Sequence, residues 1–197
     1  MQEFSALASE IAILCSDDSH YSMDKAADLL SINALKVPVD LETREINLAH
    51  TKNTIQEVQA KGIKYFITVA NIMTTMFGSV DNVNVYTDAL TALNCTFKLH
   101  IDGAYGGFYY PFVVKGSRMT SENEHISSFT LDAHKMAQAP YDIGIFLIRK
   151  GLINHVNTRE ASYVEGEDNT LIGSRSGANA LAVWMILAKN GPYGWQE

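Results

Sequence analysis

Three short segments place a lysine, two aspartates and three histidines at spacings that could do chemistry. The first is Asp132-Ala133-His134-Lys135, which follows a β-rich run. Burying an ammonium at a strand end is costly. A lysine placed there could form an imine with a carbonyl cofactor once its pKa is lowered, or it could be a solvated loop residue. The second segment is His100-Ile101-Asp102-Gly103-Ala104-Tyr105-Gly106-Gly107. Strand alternation sends His100 and Asp102 to one side, and the small residues after Asp102 let a flat ligand approach the backbone. An aspartate fixed at that point could pair with a protonated ring nitrogen, or it could only start a turn. The third is Ser19-His20-Tyr21-Ser22, between a strand and a helix. There His20 could stack on an aromatic ligand, and Ser22 could cap the helix that begins at Met23.

Other chemistries are excluded by what the chain lacks. The six histidines (20, 50, 100, 125, 134 and 155) show no metal-ligand spacing. His100-x-Asp102 has no evident third ligand, so no metal is expected. Gly173-Ser174-Arg175-Ser176-Gly177 has arginine where a nucleophile elbow needs serine. Neither a G-x-G-x-x-G nor a Walker A sequence occurs. Fifteen Lys and Arg against 22 Asp and Glu give a net charge of −7, with no basic run, so no nucleic-acid partner is expected. The longest apolar run, residues 180–188, is nine residues against the roughly 20 of a membrane span, so no membrane partner is expected either. The N-terminus resembles no signal peptide, and two cysteines build no disulfide framework. A reducing cytoplasm follows as the expected compartment.

Positioning these residues requires a scaffold. The 197 residues suit one domain with its own core. Hydrophobic patterning predicts strands over 11–15, 36–39, 64–71, 97–102, 126–131 and 143–148, the last a buried one. Helices are predicted over 21–31, 54–61, 84–93 and 178–189, the second ending at Gly62 as C-cap. Strands separated by helices imply an α/β fold, with a mainly parallel sheet and helices on both faces. Ligands bind such sheets at the carboxyl ends of the strands, where all three segments fall.

Taken with Val69-Ala70-Asn71-Ile72-Met73-Thr74-Thr75-Met76-Phe77-Gly78 and the Gly-Ser-Arg-Ser-Gly stretch, the segments resemble the group II pyridoxal-phosphate-dependent amino acid decarboxylases. Their order, and the 33 residues from Asp102 to Lys135, make the combination specific; the wording is similar to that of the bacterial histidine decarboxylases. The resemblance implies the large domain of the fold type I (aspartate aminotransferase-like) enzymes and pyridoxal 5′-phosphate as cofactor. It implies a carboxy-lyase that turns an L-amino acid into an amine and CO2, working as a homodimer with a shared active site. Lys135 would hold the cofactor, Asp102 would pair with its pyridinium nitrogen, and His20 and Ala104 would lie against opposite ring faces. Thr75 would approach from its loop. Asp132 and His134 would help place the phosphate and Lys135. Tyr163 would act as proton donor from a mobile loop, and Arg175 would shape the subunit boundary.

The sequence departs from the family pattern at three places. A Gly-Gly-x-Glu phosphate segment is not found upstream of His20, and no small domain follows the Gly-Ser-Arg helix. The chain is therefore expected to be the central part of a large domain. Met73 stands where the family usually has glycine before the Thr-Thr pair. Glycine there suggests a positive φ or a close approach, so Met73 either adopts an ordinary conformation or intrudes on the pocket. A related lyase or aminotransferase, or an inactive fragment serving as an interaction module, are the competing expectations.

Overall fold

The computed structural model describes residues 7–156, 170–191 and 194. Six strands form one sheet in the order β2-β1-β3-β4-β5-β6. They are β1 (Ile11–Ser16), β2 (Asn33–Val37), β3 (Tyr65–Asn71), β4 (Thr96–Asp102), β5 (Ile126–Asp132) and β6 (Gly144–Ile148). The first five are parallel, and β6 pairs antiparallel with β5. The chain runs outward from β1 to β2, then crosses back to β3 on the other side of β1. The topological switch point therefore lies between β1 and β3, where an open α/β sheet leaves a crevice for ligands.

The side-chain period of two splits the sheet into two faces. Ala12 and Leu14 of β1, Phe66 and Ala70 of β3, and Leu99 and Ile101 of β4 enter the main core. Ile55 of α2 (Leu48–Gln59) and Tyr86, Ala89 and Leu90 of α3 (Val83–Ala92) cover them. The alternate residues Ile13, Cys15 and Val69 pack on Ala27 and Met23 of α1 (Ser22–Leu30). A one-turn helix, α4 (Tyr110–Val113), follows β4. The last helix, α5 (Ala178–Asn190), packs through Ala182, Val183 and Ile186 on Ala133, Ala137 and Ile143.

The expected α/β fold is present, with three differences in detail. Helix α2 begins at Leu48 rather than near 54, because the Asn47 side chain accepts from the Ala49 N–H at 2.8 Å and caps it. Ser22 is not the cap of α1: it is the helix's first residue, and its hydroxyl bonds His20 Nδ1 at 2.8 Å. Strand β6 is not buried. It is the sheet's edge, with Phe146 55% and Leu147 49% exposed. The apolar run predicts a buried strand, whereas a strand at the sheet's edge can leave apolar side chains exposed.

Candidate active site

A cavity of about 270 Å³ opens at the carboxyl ends of β1, β3, β4 and β5, on the α1 side of the sheet. Its lining includes His20, Thr75, Asp102, Ala104, Asp132 and Lys135. These six side chains come from four segments far apart in sequence. The switch point supplies the space and strand alternation supplies the orientation.

Lys135 is held by its neighbour, with Nζ 3.0 Å from Asp132 Oδ2 and about a third of its side chain exposed. Asp102 ends β4, and its Oδ1 accepts from the Ala104 N–H at 3.0 Å, an Asx turn that fixes the carboxylate. Among the described residues no other hydrogen bond engages it, so Oδ2 remains available. His20 is anchored by Ser22 and tilts against the Tyr21 ring at 4.3 Å between centroids.

The turn after Asp102 is knitted to the loop after β3. The Ile72 N–H donates to Asp102 O (2.8 Å) and the Gly106 N–H to Ile72 O (3.1 Å). Gly106 permits this approach, and Gly107 permits the packing of the same turn against β5. A Cβ on Gly107 would stand 2.1 Å from Leu131 Cδ2, and one on Gly106 would stand 2.6 Å from Met73 Cγ. Met73 itself has φ 65°, in the left-handed region that disfavours a side chain. Both alternatives for Met73 are thus settled together: its backbone is unusual, and its side chain also forms part of the cavity wall.

One residue of the site was visible in the sequence but not assigned a role. His100 shares the cavity face with Asp102, as alternation required, and lines the cavity. Its Nδ1 lies 2.8 Å from Ser128 Oγ and its Nε2 3.1 Å from Thr130 Oγ1. Burial lowers its pKa, against the opposing pull of Asp102. A neutral imidazole therefore sits beside Asp102 without competing as a cation. Ser22, Asn71, Thr74 and Thr130 also line the cavity; the first three fall within the quoted motifs, and only its place on β5 could have signalled Thr130.

Two of the sequence-assigned residues do not line the cavity, and a third is not described. His134 does not line the cavity; its Nδ1 lies 3.1 Å from the Ile143 backbone and its ring meets Tyr141 edge-on. Two residues on from Asp132 and one before Lys135, the turn points it toward the start of β6, with Nε2 3.9 Å from Asp132 Oδ2. Arg175 is exposed and does not line the cavity. Tyr163 lies outside the described residues. Among the described residues, no group of three or more His, Cys, Asp or Glu could hold a metal.

The sequence profile described as the pyridoxal-dependent decarboxylase conserved domain matches residues 2–197. The chain belongs to this family. A tryptophan decarboxylase from Clostridium sporogenes is 50% identical over 196 residues, which cover all of this chain and 47% of that protein. A histidine decarboxylase from Vibrio anguillarum is 32% identical over 187 residues, 93% of this chain and 47% of the relative. The chain thus spans about half the length of the curated relatives it matches. Among solved structures, the glutamate decarboxylase of Lactobacillus brevis superposes with a TM-score of 0.78 at 19% identity, over 95% of this chain and 43% of that one. The sphingosine-1-phosphate lyase of Burkholderia pseudomallei gives 0.78 at 20% identity, over 95% and 43%. These neighbours show the same fold type, that of the pyridoxal-phosphate decarboxylases and lyases.

Proposed function

We propose that the chain forms the cofactor-binding core of a pyridoxal-phosphate-dependent carboxy-lyase acting on an L-amino acid, with tryptophan the first substrate to test. One observation carries this reading: Lys135, Asp102 and His20 line one cavity at the sheet's switch point. An amine for the aldehyde, a carboxylate for the ring nitrogen and an imidazole for the ring face are the donor set this cofactor requires. Among the hydroxyl residues lining the same cavity, Ser22, Thr74 and Thr130 are engaged with His20, Ser79 and His100, and Thr75 would offer a neutral donor to a phosphate. The substrate suggestion rests on the 50% identity to a tryptophan decarboxylase.

When bound, the cofactor supplies the electron sink for the carbanion left by CO2 loss. The chain's own residues do the rest. The Lys135 amine would hold the cofactor aldehyde, with Asp132 steadying the ammonium beforehand. Asp102, fixed by the Ala104 N–H, would keep the ring nitrogen protonated, because a carboxylate beside a cation favours the charged pair. His100, held neutral between Ser128 and Thr130, leaves Asp102 to that single partner. Ala104 would allow the flat ring to lie close to the turn. His134 would support the Asp132–Lys135 turn from behind, and Tyr163 would return the proton to Cα as general acid. The same reading places the enzyme in the cytoplasm, which suits its two free thiols, and in a homodimer with a shared site.

The test is direct. Incubated with excess pyridoxal phosphate, the protein should gain a visible absorption band that Lys135→Ala abolishes, and should release CO2 from L-tryptophan. Keto-acid formation without CO2 would instead indicate an aminotransferase. Absence of the band would favour the inactive module.

A further inference from the structure

Behind the cavity wall lies a buried polar cluster that none of these roles uses. Asp81, in the turn between β3 and α3, is only 5% exposed; Asn71, Ser19 and Ser16 around it are also buried. Asp81 Oδ2 accepts from the Asn71 backbone N–H at 2.8 Å and from Asn71 Nδ2 at 2.6 Å, while the Asp81 N–H donates to Asn71 O at 3.0 Å. Asn71 Nδ2 also reaches Ser19 Oγ at 2.8 Å and Ser16 Oγ at 3.2 Å. The two hydroxyls are 3.3 Å apart, and the Ser19 N–H donates to Ser16 O at 3.0 Å.

The chemistry of an amide makes Asp81 the determinant of this arrangement. A side-chain amide has two N–H donors on one nitrogen and an acceptor on the other side. If Asn71 flipped, its carbonyl oxygen would face a buried carboxylate oxygen, and two acceptors would be left opposed. Asp81 therefore fixes the amide so that its second N–H points at the serines. Ser19 directly precedes His20. The charged neighbours do not supply this contact. Asp18, a carboxylate whose charge also bears on Asp81, is held by Arg44; the Ser16 side chain also helps hold the Asp81 carboxylate, while the buried Tyr86 hydroxyl on α3 has no hydrogen-bond partner among the described residues.

We propose that Asp81 is a positioning residue of the active site: by orienting the Asn71 amide it locks the Ser16–Ser19 turn and so sets the place of the His20 imidazole. Its consequence for cofactor binding rests on the function proposed above; the positioning itself does not.

Hydrogen exchange on the cofactor-free chain tests it. Asp81→Ala should raise exchange across residues 17–23 at least tenfold relative to β4, and should shift the His20 ring proton resonance. Asp81→Asn should restore both, because its carboxamide oxygen can accept the same two bonds. Ser19→Ala, which removes only the contact beside His20, should reproduce the effect on residues 20–23 with little change in melting temperature. The proposal is overturned if Asp81→Ala speeds exchange evenly over β3, α3 and the loop, or if Asp81→Asn fails to restore it. Should Asp81→Ala not fold, unchanged exchange and an unshifted His20 resonance in Ser19→Ala overturn it equally. Failure of the wild-type chain to bind pyridoxal phosphate would count against the proposed function and leave this result standing.

Discussion

Met73 holds a left-handed backbone, and the space beside it exists only because residue 106 has no side chain. A non-glycine residue in that region costs about 1 kcal/mol or more. Gly106→Ala should therefore destabilise the fold by roughly 1–3 kcal/mol through overpacking. In a Met73→Gly background the same change should cost far less, and Met73→Gly alone should stay close to wild-type stability as relieved strain offsets lost packing. Urea unfolding of the four proteins in a double-mutant cycle reads both effects, and additivity would refute the coupling. In the same cavity, Asp102→Ala should lower turnover by more than tenfold, about 1.4 kcal/mol, while cofactor affinity falls less. Steady-state CO2 release against a cofactor titration separates the two quantities. Turnover within tenfold of wild type would remove Asp102 from its role.

At the scale of elements, the join between β3 and α3 carries a titrating group. Burial pushes the Asp81 carboxyl up to about 6, against the hydrogen bonds from Asn71. A folded-state pKa raised above the unfolded one means that the native state binds the proton more readily. The stabilising contribution is complete below pH 4 and is lost as pH rises through about 6, by roughly 2–3 kcal/mol. Relative to Asp81→Asn, the wild-type chain should thus lose stability between pH 4 and 7, as measured by chemical denaturation across that range. A flat difference would deny the buried titration. Helix α2 offers a simpler check: Asn47→Ala should cost about 1 kcal/mol by removing its cap, again read by denaturation.

The elements also show what the residues alone could announce. Strands β1, β3, β4 and β5 were legible because their apolar runs end in polar groups, and alternation placed His100 and Asp102 together before any coordinates. The start of α2 was not legible, since its first three residues are exposed and set no apolar period, and its signal is the single side chain of Asn47. That His134 turns away from the cavity was not legible, because adjacency to Lys135 in sequence does not fix direction in a tight turn. The Asp81 cluster stayed hidden because its partners lie 10 to 65 residues away in the chain, and no local pattern reports a contact between two strand ends.

Over the whole molecule, apolar surface is unevenly covered. Leu181, Trp184 and Met185, close in sequence on α5, are all more than 60% exposed. Contiguous apolar surface of this kind drives association. The isolated chain should therefore associate as its concentration rises, and Trp184→Glu with Leu181→Glu should weaken this without loss of helix. Sedimentation velocity and circular dichroism measure the pair of outcomes, and a monomer at all concentrations would contradict the expectation.

The ladder between β4 and β5 is irregular at one point: Leu99 pairs with Ile126, but His100 pairs with Ser128, leaving Ser127 supernumerary. Changes of chain length are therefore not equivalent along β5. Deleting Ser127 would straighten the ladder and leave Thr130, Asp132 and the lysine turn on their present side. Deleting Phe129 or Thr130 would carry everything downstream to the opposite side and take Asp132 and Lys135 together away from the cavity that Asp102 lines, although the chain would have lost the same single residue.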